Sequence, residues 1–231
     1  MPVYYGIDIW YLVLVIPALL LSFYAQFKVK FTYAKYSKVM ARRGLTANDA
    51  VAFILKNNSI NDVSVQPISG ELTDHYSPKE KIIRLSEGVY GNTSVAALGI
   101  AAHEAGHTVQ HYSNYGFMNF RDLLLPVANI GSMVSIPMVL IGFVFNFAIL
   151  VDLGIVFFAA ATLFQLVTLP VEFNASSRAL KALEASGALN DEELKMSTAI
   201  LSNCPGLLLA FSQVSSLLPP RSLLFLKAEG C

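Results

Sequence analysis

Charged side chains are scarce in this 231-residue chain. Asp, Glu, Lys and Arg make up 14% of it, where soluble domains carry roughly a quarter, and 16 basic residues balance 16 acidic ones. With no basic surplus and no long basic face there is no electrostatic footprint for nucleic acid, and no nucleic-acid partner is expected. Cysteine is scarcer still: Cys204 and Cys231 alone supply neither a metal-type spacing nor a disulfide framework. Internal repeats and low-complexity linkers are missing, so the chain reads as a single domain, 1–231, whose water-exposed parts are inserts between apolar ones. No Lys or Arg precedes the first apolar run, and Tyr24-Ala25-Gln26 is a poor small-residue cleavage site, which argues against a cleaved signal peptide.

What the chain has in abundance is apolar sequence, 55% of all residues, which makes an integral membrane protein in contact with the lipid bilayer the first expectation. An uncharged stretch over about 9–27, with Trp10 and Tyr11 at one end, matches one bilayer thickness. Residues 123–170 are too long for one helix. Asn146 and Asp152 mark the expected turn between two spans, 123–145 and 152–170, that form a tight hairpin. A candidate fourth span covers 198–218, interrupted by Asn203, Pro205, Pro219, Pro220 and Arg221.

The insert 28–122 holds the expected soluble structure. Thr46 with Asp49 reads as a cap on a short amphipathic helix. Val63, Val65 and the segment Lys81 to Leu85 read as short strands. Asn92 or Thr93 caps a helix that continues through His107. The expected fold class is therefore mainly α: an integral membrane helical protein with a small α+β, zincin-like insert that carries a HExxH helix. The strand from Lys81 to Ser86 is a candidate edge for an extended substrate.

The chemistry resides in His103-Glu104-Ala105-Gly106-His107. Histidines four apart share one helical face and reach one ion, with Glu104 beside it as general base for a metal-activated water. Neutral imidazole suits Zn2+, and a catalytic site takes three protein ligands, so a third must come from elsewhere. His111 and Glu172 are the candidates. His111 lies two turns from His103, about 12 Å of helix rise, too far for one ion on a straight helix, so Glu172 is favoured. Hydropathy offered a test that Glu172 could have failed: two spans separate it from His107, which returns it to the same side. Lys28, Lys30, Lys35, Lys38, Arg42 and Arg43 crowd the end of the first span, which puts that side in the cytoplasm. His75, Tyr76 and Tyr90 are candidate oxyanion donors, and Asn174 and Ser176 are candidates to support the ligands.

Several segments carry a wider likeness: Gly70-Glu71-Leu72-Thr73-Asp74-His75-Tyr76, Leu85-Ser86 with Val89-Tyr90, Ser94-Val95-Ala96-Ala97 ahead of His103, and Leu169-Pro170-Val171-Glu172-Phe173-Asn174-Ala175. Through them the chain resembles the YugP-type membrane zinc metallopeptidases, a gluzincin-like family, over most of its length. The resemblance implies a zinc-dependent peptidase acting on peptide or protein substrates, with His103, His107 and Glu172 as ligands and Glu104 as base, in a prokaryotic plasma membrane. In gluzincins an aspartate often follows the ligand glutamate by four residues. Here that position is Ser176. The competing reading is a catalytically silent metal-binding membrane scaffold, against which the retained Glu104 argues.

Overall fold

A computed structural model describes Leu20, Tyr24 and residues 27–202. The expected first span and most of the candidate fourth fall outside the described residues. Residues 27–36 are helical. Five named helices follow: α1 (Ala47–Asn57), α2 (Val95–Tyr112), α3 (Gly116–Val144), α4 (Ala148–Ser186) and α5 (Asp191–Leu201). Between α1 and α2 lie three strands, β1 (Ser64–Ile68), β2 (His75–Ser77) and β3 (Ile82–Ser86). The chain is mainly helical with one small sheet.

Local chemistry sets the helix starts. Thr46 and Asp49 form the expected capping box at α1, each side chain satisfying a backbone N–H of the other's end. At α2 the cap is Ser94, whose hydroxyl accepts from Ala97 N–H. This corrects the expected cap, Asn92 or Thr93, by one or two residues: Asn92 instead accepts from Ser94 N–H and so holds the turn before the helix. α5 starts in a second capping box, Asn190 with Glu193, and the other Glu193 oxygen accepts from Arg42 N–H, fastening this last described helix to the segment ahead of α1.

The sheet order is β1-β3-β2, with β1 parallel and β2 antiparallel to β3. This corrects the expected edge. β3, which covers most of the Lys81 to Ser86 segment, has neighbours on both sides and no free edge; within this sheet β2 is the edge strand on the side of α2. Ile83 and Leu85 of β3 project into the core and meet Val89, Val95, Leu98 and Ile100. Alternation along β3 accounts for this, since every second side chain faces α2.

α2 is the centre of the water-exposed part, packed against α1, α4, α5 and β2. It is buried almost all round, which its run of Ala and Gly permits. A Cβ added at Gly106 would lie 2.7 Å from the Ala175 carbonyl oxygen, so the crossing of α2 and α4 needs glycine at that point. Ala175, with its small side chain, is the opposing residue.

The hairpin consists of α3 and α4, both long and apolar enough to cross a membrane. The turn is shorter than expected. It comprises Phe145, Asn146 and Phe147, with Asn146 at φ +55°, and Asp152 lies inside α4 and not in the turn. Asn tolerates the left-handed conformation better than most residues. The helices approach closely at Gly154, where a Cβ would sit 2.7 Å from the Ser135 carbonyl oxygen. Ser132 and Ser135 return their hydroxyls to carbonyls of their own helix, Asn129 and Ser132 respectively, so neither needs a partner from the lipid side.

α4 is longer than a span requires. Its 39 residues rise about 58 Å, against a hydrocarbon core of about 30 Å. The apolar half ends near Pro170, and the remainder continues into the water-exposed part. There Val171, Glu172, Ala175, Ser176, Ala179 and Leu183 are buried along one face. The same helix is thus long and apolar enough to span a bilayer and delivers Glu172 to α2.

Candidate metal centre

His103 and His107 project from one face of α2 with ring centroids 4.6 Å apart and ring planes at 80°. Both Nε2 atoms converge on one oxygen of α4: His103 Nε2 is 3.1 Å and His107 Nε2 3.5 Å from Glu172 Oε2. One ligand atom from each of the three residues falls within 4.8 Å of the others. His103 and Glu172 are buried, and His107 retains 12% of its side-chain surface, so the cluster opens to solvent on the His107 side.

Glu104 is buried next to this cluster. Burial pushes its carboxyl up to about 8; His103 pulls the other way, Asp74 and Glu172 push it further up, and the Tyr76 backbone N–H, donating to it, lowers it slightly. That N–H belongs to β2, so the edge strand lies against Glu104. Asp74, just before β2, is itself raised to about 6 by burial, against the opposing pull of the Ser86 N–H and hydroxyl.

Two imidazoles and one carboxylate, gathered in a site with one solvent-facing side, are the donor set and ligand number of a catalytic zinc site with an open position. The residues present fit the ion. Residues 11–217 match the family model described as "Putative neutral zinc metallopeptidase". The chain belongs to that family. It is also 45% identical over 192 residues to the "Putative membrane protease YugP" of Bacillus subtilis (strain 168), an alignment covering 83% of this chain and 85% of that protein. No solved structure matches. Membership in this zinc peptidase family implies zinc, and His103, His107 and Glu172 form a possible site for it.

The remaining expected residues divide. Ser176 is in the site: its Oγ is 3.2 Å from His103 Nδ1. Asn174 is one step removed, accepting from Gln110 Nε2 and Arg178 Nε. Tyr76 is half-buried, its hydroxyl 3.4 Å from His111 Nδ1. His111 packs edge-on against Tyr76 and Tyr112 and is not among the three clustered residues that could hold an ion. His75 points the other way from β2, with Nδ1 2.9 Å from the Thr73 carbonyl and Nε2 3.5 Å from Arg84. Tyr90 is exposed in the turn ahead of α2.

Sequence reasoning missed Gln110. It is fully buried, lies 3.0 Å from His107 Nδ1, and is three residues beyond that histidine on the same helix. A long amide at i+3 from a ligand histidine is the signal that would have found it.

Proposed function

We propose that the chain is a membrane-bound zinc metallopeptidase that hydrolyses peptide bonds, with His103, His107 and Glu172 as ligands and Glu104 as general base. The observation that carries this reading is the convergence of both Nε2 atoms and the Glu172 carboxylate in one buried cluster beside Glu104. Zinc held there supplies Lewis acidity, and its charge favours the ionised form of a neighbouring acid.

The chain's own groups supply the rest. Glu104 takes a proton from the attacking water and returns it to the leaving amine, a task suited to a carboxyl whose pKa burial has brought near neutral. The Tyr76 N–H orients the Glu104 carboxylate. The edge strand β2 gives an extended peptide a place to add alongside α2, a role the sequence alone had assigned to the segment that turns out to be central in the sheet. Tyr76, whose backbone meets Glu104, is the best placed of the three suggested oxyanion donors. The cluster of basic residues from Lys28 to Arg43, with Arg178 and Lys181 on the same side, supports a cytoplasmic active site in a prokaryotic plasma membrane.

The test is metal content and peptide hydrolysis in detergent. The parent should carry one zinc per chain, His103→Ala should carry none, and Glu104→Gln should keep zinc while hydrolysis falls about 10²- to 10⁴-fold. Zinc bound without any hydrolysis across a broad peptide library would favour the scaffold reading. A folded parent that takes up no zinc would end the peptidase reading.

A further inference from the structure

We infer that Gln110 is a positioning residue of the metal centre: it fixes the proton of His107 on Nδ1 and leaves Nε2 free for the ion. The inference rests on the reading of His103, His107 and Glu172 as metal ligands.

Heavy-atom positions alone do not say which end of an amide is oxygen or which imidazole nitrogen carries hydrogen. Here the partners decide, because two of them cannot reverse roles. The Val171 carbonyl can only accept, and Gln110 Nε2 lies 2.7 Å from it. Turning the amide over would set oxygen against oxygen at that distance. At the far end of the chain, Arg178 Nε–H can only donate, and it lies 2.8 Å from Asn174 Oδ1. That makes the atom facing Gln110 an oxygen too, and Gln110 Nε2 is 3.0 Å from it. Both anchors give the amide the same direction.

With its NH2 group committed to Val171 and Asn174, Gln110 presents Oε1 to His107 Nδ1 at 3.0 Å. An oxygen there requires Nδ1–H as donor. The neutral ring then has its lone pair on Nε2, the atom that faces Glu172 Oε2. A neutral imidazole in water prefers the opposite tautomer, so the protein supplies the bias. Burial strengthens it, since an amide or imidazole N–H left unmatched away from water loses its hydrogen bond with nothing to replace it.

His103 has a separate relay. Ser176 Oγ lies 3.2 Å from His103 Nδ1 and 3.5 Å from the Leu201 carbonyl. A hydroxyl that donates to that carbonyl accepts from Nδ1–H. The two ligand histidines therefore have independent orienting partners, and one serves as control for the other. Gln110 has a second effect that Ser176 lacks: its bond to Val171 holds the backbone one residue ahead of Glu172, so the same amide aligns a ligand on α2 and steadies the helix that brings the third.

The experiment uses the full chain in detergent, zinc-loaded, with chelator competition for affinity and 15N-histidine NMR for the imidazole N–H groups. In Gln110→Met the zinc Kd should rise about 10- to 100-fold. The His107 Nδ1–H signal should be lost to solvent exchange while that of His103 persists. Gln110→Glu keeps an acceptor for Nδ1–H, and as the neutral acid, which burial and the facing Val171 carbonyl favour, its O–H donates where the amide did. It should stay within a few-fold of the parent and keep the His107 signal, and a parent whose His107 shows no Nδ1–H would overturn the inference even if the methionine variant does not fold. Equal loss of affinity in both variants with the His107 Nδ1–H unmoved would make Gln110 a helix brace only and overturn the inference. Parent affinity in Gln110→Met would also overturn it. A parent that binds no zinc would instead bring down the metal-centre reading itself, a result distinguishable from the other two.

Discussion

The two halves of α4 expose side chains for opposite reasons. Below Pro170 the helix shows Ile149, Ile155, Val156 and Leu163 on the surface of the described residues, the arrangement expected where lipid is the solvent. Above it, Ser177 is exposed while Val171, Ala175, Ala179 and Leu183 are buried, the ordinary arrangement of a water-facing helix. One uninterrupted helix thus obeys two rules for what belongs outside. The polar ligand Glu172 stands just past the change, where apolar sequence has ended and the burial needed for a tight site has begun.

The comparison is broken most completely by removing the ligand at the join. Glu172→Ala should lose zinc and abolish hydrolysis, whereas His111→Ala should bind zinc like the parent; the reverse pattern by elemental analysis would transfer the third ligand to His111. Next in size is a pair of lysines at two exposed positions. Leu163→Lys should cost about 2.5–3.5 kcal/mol on a membrane-insertion scale, and Ser177→Lys should stay within about 0.5 kcal/mol. Equal costs in a reconstituted unfolding assay would mean that the lower half does not face lipid. Gly106→Ala tests how closely the upper half must approach α2. A methyl 2.7 Å from the Ala175 oxygen should destabilise by about 1–3 kcal/mol and weaken zinc binding, as seen in melts with and without chelator.

The smallest effect concerns pH and should leave the hairpin untouched. Asp74, raised to about 6 by burial, binds its proton more tightly folded than unfolded. Its protonated form therefore favours the fold below about pH 4, and that advantage fades as pH rises from 4 to 6. Asp74→Asn should flatten that part of the stability profile, measured as Tm against pH.

What could be read from the sequence was whatever is written locally or in hydropathy. The Thr46 cap depends on residues three apart, the helix through His107 on a run of small apolar residues, and the hairpin on length. Glu172 was reachable because span counting is a long-range argument that needs no coordinates. Sheet order is different. Only pairing shows that β3 lies between its neighbours, and His75-Tyr76-Ser77 is too short to carry a strand pattern of its own. Gln110 was hidden for the same reason: its partners across the crossing are a backbone carbonyl and Asn174, 64 residues away, and nothing in its neighbourhood announces them.

On the proposed reading, in which Glu172 is a metal ligand carried by a membrane helix, the ion once bound closes a ring. From His103 the chain runs down one hairpin arm, back up the other and returns to the metal 69 residues later. Such a closure acts as a reversible cross-link, and by loop-entropy reasoning a cross-link stabilises through the freedom it removes from the opened chain. The strength with which the water-exposed part grips its anchor is then set partly by metal supply. A tilt of the anchor, of the sort a thinner bilayer imposes, would be felt as tension on the coordination bond at Glu172.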